Sequence, residues 1–138
     1  MTVDRALLAE RVAAVERHLA RVEDRLPEQA SDFVPSSDQS DAVILHLWLA
    51  VQIVIDLAMS TCVQLKLGAP ATYADAFRTL ADSGRLERPL ADRLVRAAGF
   101  RNLVAHAYAN VDMKRVYRAA RSGPDDLRAF MAALARIA

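Results

Sequence analysis

Residues 42–55 form a run of fourteen without a single Asp, Glu, Lys or Arg. Val43, Ile44, Leu45, Leu47, Trp48, Leu49, Val51, Ile53, Val54 and Ile55 fill it, and Leu57 and Met59 extend it. The pattern predicts a helix from Asp38 or Asp41 to Leu67, with Gly68 as its stop and Pro70 beyond. A helix apolar on nearly every side must lie at the centre of a bundle or in a subunit interface. The run is short for a membrane span, and Asp56 closes it. One polar stripe crosses this helix: Gln52, Asp56, Ser60 and Gln64, each four residues from the last. Two readings fit it. It is an internal hydrogen-bond network, or it faces a polar pocket in which Asp56 and Gln52 support other groups, Asp56 as an orienting carboxylate.

The rest of the chain supplies the helices to surround it. Over 3–26, Leu8, Val12, Val15, Leu19, Val22 and Leu26 make a continuous apolar seam at spacings of 4, 3, 4, 3 and 4. Thr2 is a suitable N-cap there, and Pro27 ends the helix. His18 falls off the seam and is expected in solvent; His46 is expected to be structural or interfacial. Residues 28–39 read as a turn-back loop. Thr72 with Asp75 opens a short third helix bearing Phe77 and Leu80, stopped at Gly84. A fourth runs over about 88–107 with Pro89 in its first turn. A fifth covers 112–121, and Ser122-Gly123-Pro124 separates it from a last helix over 124–137. With four glycines and five prolines in 138 residues, the expected fold is all-α. It is a bundle of five to six helices in a single domain over 1–138, with two long antiparallel N-terminal helices.

Charge is unevenly divided behind a formal net of +1. Residues 1–70 carry six basic and ten acidic side chains; residues 71–138 carry twelve and seven. A basic C-terminal half is compatible with a polyanionic partner. Cys62 is alone, so no internal disulfide forms, and no Cys/His spacing suggests zinc. No metal or cofactor is expected. The N-terminal segment is charged throughout and reads as neither signal peptide nor anchor, so the expected location is cytoplasmic, with no membrane association.

Polar chemistry concentrates in one place, the segment Phe100-Arg101-Asn102-Leu103-Val104-Ala105-His106-Ala107-Tyr108. At about 100° per residue, Val95, Gly99, Asn102 and His106 share a stripe. Leu94, Ala98, Arg101, Ala105 and Tyr108 form the next one. Ala98, Gly99 and Ala105 would let another helix, a second subunit or a ligand come close. Arg101 offers a charged planar fork suited to phosphate. His106 can exchange a proton near neutral pH, and Asn102, one turn earlier, can orient its ring. The set suits metal-independent phosphodiester cleavage in RNA, which a symmetric dimer would complete by doubling it. The spacing fits equally an interhelical polar cluster in which Arg101 and Asp56 form a buried ion pair.

The fuller string, Phe100-Arg101-Asn102-x-x-x-His106-x-Tyr108 followed by Val111-Asp112 and Val116-Tyr117, resembles the HepT-like branch of the HEPN superfamily over essentially the whole chain. The resemblance implies a HEPN-like helical bundle, commonly homodimeric, with its catalytic strip at the dimer cleft. It implies a metal-independent ribonuclease toxin of a type VII-like toxin–antitoxin system. Arg101 and His106 would be the catalytic pair and Asn102 their assistant. The partner would be an MntA-type minimal nucleotidyltransferase antitoxin that uses ATP to adenylylate Tyr108. AMP on Tyr108 would add bulk and negative charge where RNA phosphate must bind. A catalytically silent module that binds RNA or a nucleotidyltransferase is the alternative, and a purely structural helical subunit a third.

Overall fold

The computed structural model describes residues 4–107 and 112–137, and for 105–107 the backbone alone. Among the described residues there are five α-helices: α1 (Arg5–Arg25), α2 (Asp38–Gln64), α3 (Tyr73–Asp82), α4 (Arg88–Ala107) and α5 (Met113–Ile137). A single 3-10 turn, Ala30–Asp32, lies in the loop between α1 and α2. The described residues contain no strand, and the bundle is all-α as expected.

α1 and α2 make the most extensive helix pair. His18, eight residues before Leu26, contacts His46, eight residues after Asp38. Equal distances from the connecting loop make the two helices antiparallel. The α1 seam is the reason they pair: Leu8, Val15, Leu19 and Val22 are buried, and Val12 and Leu26 pack at its margin. Asp4 caps α1, its Oδ1 accepting from the amides of Ala6 and Leu7 at 2.9 and 3.1 Å. The expected cap Thr2 lies outside the described residues.

α2 is the axis, packing on all four other helices. Val43, Leu47, Ala50, Val51, Val54, Ala58 and Cys62 are each at most 2% exposed. By length and composition α2 could cross a membrane, with a mean hydropathy of 2.1 in its most apolar window. Its buried side, though, is the centre of this core. Ser37 and Ser40 form a reciprocal capping box at its start. The helix ends at Gln64, one turn before the expected stop. There Lys66 takes a left-handed φ of 60° and the Leu67 amide reaches back to the Cys62 carbonyl at 2.9 Å. That closure satisfies the last carbonyls before Gly68 is reached.

Gly84 does what Gly68 was expected to do. It ends α3 at φ 83°, with the Arg85 amide bonded to the Leu80 carbonyl at 2.9 Å. Phe77 of α3 meets Phe130 of α5 edge to face, centroids 5.7 Å apart, both fully buried. The expected break at 122–124 is absent. α5 runs unbroken through Gly123 and Pro124, both buried in the bundle. A Cβ on Gly123 would meet only Leu47 Cδ1, at 3.9 Å. The strong amphipathic pattern on both sides of Pro124 holds the helix together against the lost backbone bond.

α5 is tied to α1 and its following loop by polar bonds. Arg128 reaches Glu16 at 3.0 Å and Glu23 at 2.7 Å, two carboxylates two turns apart on α1. The Tyr117 hydroxyl bonds the carbonyls of Pro27 and Glu28 at 2.6 and 2.8 Å, and Arg121 Nη2 donates to the same two oxygens.

Candidate active site

α4 carries the polar segment. Pro89 stands in its first turn, and Leu90, Ala91, Leu94 and Ala98 press one side into the core. This packing leaves Arg101 and Asn102 half-buried near the helix end.

Arg101 Nε donates to Gln52 Oε1 at 2.5 Å. Gln52 Nε2 in turn donates to Asp56 Oδ1 at 2.8 Å. The amide thus relays between guanidinium and carboxylate, accepting from one and donating to the other. The direct Arg101–Asp56 ion pair of the alternative reading is not formed. Asp56 is exposed, so the stripe on α2 faces outward and is no internal network. It serves only in part: Ser60 Oγ turns back to the Leu57 carbonyl at 3.2 Å, and Gln64 Oε1 is buried without a partner.

Asn102 Nδ2 donates to the Tyr73 hydroxyl at 3.0 Å. Tyr73 is the first residue of α3. Nothing in its spacing signals the bond, which depends on how α3 docks against α4. Asn102 is thereby fixed from outside its own helix. His106 lies in α4 one turn beyond Asn102; its side chain falls outside the described set, and Tyr108 lies outside the described residues altogether. The structure therefore forms two polar groups at this end of α4, Asp56–Gln52–Arg101 against α2 and Asn102–Tyr73 against α3.

Gly99 is open. A Cβ placed there would meet nothing within 4 Å, so none of this chain's own described residues uses the close approach that the small residues permit. Around the strip, Leu45 and Val63 of α2 are 52% and 56% exposed. They share the outward face of α2 with Gln52 and Asp56.

His18 corrects its expectation. It is half-buried against His46, with Nδ1 atoms 3.0 Å apart and ring centroids at 5.3 Å. Burial, and then the cations of Arg17 and Arg21, hold its pKa below the usual histidine range. Burial first, then His18, Arg21 and Arg25, do the same for His46. The pair lies between α1 and α2, apart from the polar strip. Cys62 is buried, and its thiol contacts the Ala76 carbonyl at 3.5 Å. Among the described residues no group of three or more His, Cys, Asp or Glu side chains gathers as a metal site.

The family model for ribonuclease HepT-like proteins matches residues 15–134. The chain belongs to that family. A relative, the mRNA nuclease HepT of Shewanella oneidensis, is 26% identical over 125 residues, covering 91% of this chain and 93% of its own. The solved structure of the tri-AMPylated Shewanella oneidensis HEPN toxin in complex with an MNT antitoxin superposes with a TM-score of 0.86 at 25% identity, over 97% of this chain and 99% of that one. YutE, a cytosolic protein of unknown function from Bacillus subtilis, shares the fold at 19% identity, with a TM-score of 0.80 over 97% and 90% of the two chains. This HepT-like chain is thus a homologue of a ribonuclease toxin, and its all-α bundle is that of the family.

Proposed function

We propose that this HepT-like chain cleaves RNA without metal at a strip formed by Arg101, Asn102 and His106. The observation that carries the reading is the Asp56–Gln52–Arg101 relay. It holds the half-buried Arg101 at a fixed place five residues before His106 on the same helix. Arg101 offsets charge on the phosphoryl oxygens. The ribose 2′-oxygen attacks phosphorus and the bond to the 5′-oxygen breaks. One proton leaves the 2′-hydroxyl and one reaches the departing oxygen.

One histidine supplies one of those transfers. A second copy of the chain supplies the other, so the working form is a homodimer. The outward α2 face, with exposed Leu45 and Val63 on the same side as Gln52, and the open Gly99 of α4 support a partner chain. The partner in regulation is an MntA-type nucleotidyltransferase antitoxin, which silences the enzyme by adenylylating Tyr108. The complex formed by the Shewanella oneidensis toxin supports this. The chain acts as one domain in the cytoplasm.

The test is cleavage of RNA by the purified protein in EDTA, with His106→Ala as the inactive control. No cleavage by the parent protein at any pH would refute the reading. Incubation with the antitoxin and ATP should add mass in units of AMP. The same gain in Tyr108→Phe would move the acceptor elsewhere.

A further inference from the structure

Asn102 is held from a helix that carries no other part of the strip. Its Nδ2 donates to the Tyr73 hydroxyl at 3.0 Å, and both residues are half-buried. Tyr73 is placed by the start of α3. Thr72 caps that helix, its Oγ1 accepting from the Asp75 amide at 3.1 Å. Ala76, Phe77 and Leu80 bury the apolar side of α3, and the Tyr73 ring packs at the margin of the same core. The hydroxyl is thus presented to α4 from a fixed helix end.

An asparagine amide has a donor end and an acceptor end, which exchange places when the side chain turns over. With Nδ2 drawn to Tyr73, Oδ1 takes the opposite side. His106 stands four residues further along α4 on the same stripe, and side chains at i and i+4 on a helix are neighbours. An acceptor offered to an imidazole takes a ring N–H, which fixes the tautomer and favours the protonated ring. A donor offered in its place has the reverse effect.

We propose that Tyr73 is a positioning residue for RNA cleavage, turning the Asn102 amide so that Oδ1 rather than Nδ2 is presented along the stripe to His106. The inference rests on the ribonuclease reading above and names a residue outside α4 on which its proton-transfer group depends. Tyr73 acts through Asn102 and is not asked to touch substrate.

The test is Tyr73→Phe in the full chain, which removes the hydroxyl and keeps the ring. Histidine NMR follows His106, one of three histidines in the chain, assigned by the signal lost in His106→Ala. In Tyr73→Phe it should titrate about half a pH unit lower or more. The charged groups of the strip, Arg101 and Asp56, are the same in both proteins, so the difference reports the amide. For RNA cleavage, kcat should fall about three- to tenfold, the worth of one neutral hydrogen bond, with KM changed less than about twofold. The acid limb of the kcat profile should move with the NMR value. In an Asn102→Ala background, Tyr73→Phe should leave the His106 titration unmoved, because the residue through which it acts is gone. Thermal melting confirms that each variant folds.

The proposal is overturned if Tyr73→Phe lowers the melting temperature and leaves the His106 titration where it was, the mark of a merely structural role. It is equally overturned if the titration moves as far in the Asn102→Ala background as in the parent. A parent that cleaves while Tyr73→Phe changes neither rate nor titration removes the Tyr73 assignment alone. A parent that cleaves no RNA removes the ribonuclease reading, and the role in cleavage with it.

Discussion

Gln52 is the residue through which the site is most sharply tested. It touches no substrate in this reading and acts by holding Arg101. Replacing it with methionine, of similar length, removes the 2.5 Å acceptor for Arg101 Nε and the 2.8 Å donor to Asp56 together. A hydrogen bond to a charged group contributes about 1.5–3 kcal/mol. Both partners are part-exposed, so water recovers some of that, and the low end applies. About 1.4 kcal/mol is a factor of ten. Gln52→Met is therefore expected to lower the single-turnover cleavage rate about tenfold, with KM changed less than twofold and melting shifted by no more than a few degrees. The relay can also be reversed. Gln52→Glu combined with Asp56→Asn gives Arg101 a carboxylate acceptor, with an amide at position 56 to donate to it. That pair is expected to recover most of the rate. Refutation would come from parent-like cleavage by Gln52→Met, or from a reversed pair as slow as Gln52→Met.

The His18–His46 pair predicts a pH-dependent stability. Both histidines have lowered pKa values when folded, so the unfolded chain takes up protons first. The melting temperature is then level above the ordinary histidine value of 6.5. It falls as pH drops below that value and levels once the folded values are passed. His46→Leu should flatten the profile, and a flat parent profile between about pH 7 and about pH 5 would contradict the assignment. Arg128→Ala should cost about 1 kcal/mol for a partly exposed network, less at high salt, as read by denaturant titration. The bond from Arg128 lowers the pKa of Glu23, so that contribution is present above the ordinary carboxylate pKa and lost as pH falls through the folded one. Gly123→Ala should destabilise α5 in the same titration even though Leu47 leaves room for the Cβ, because a Cβ on a helical residue before Pro124 crowds the proline Cδ. A gain of stability would show that the proline tolerates it.

The fold was legible where one periodicity dominated. The α1 seam, the apolar α2 and the extent of α4 each follow from residue spacing, and each is observed. Local chemistry misled where tertiary packing overrode it. Gly123-Pro124 reads as a stop, but Leu127, Phe130, Met131 and Leu134 continue the buried face of the helix beyond it. Lys66 closes α2 in a conformation usually left to glycine or asparagine. Of the candidate site, Arg101 and Asn102 were found from their helix alone, because their stripes follow from 3.6 residues per turn. Their partners were harder. Asp56 was placed near Arg101 with two roles open, and only the crossing of α2 and α4 decides that Gln52 stands between them in place of a direct ion pair. Tyr73 and His18 carried no signal, for their bonds join residues 29 and 28 positions apart.

Pro124 has one more consequence. It has no amide hydrogen, so the Ala120 carbonyl lacks its usual intrahelical donor, and α5 contains a soft joint at its midpoint. The stretch before the joint is held by Tyr117 and Arg121, which bond the Pro27 and Glu28 carbonyls. The stretch after it carries Arg128, riveted to α1. The joint therefore lies between two anchors on α1 and the loop that follows it, and bending there is resisted from both sides.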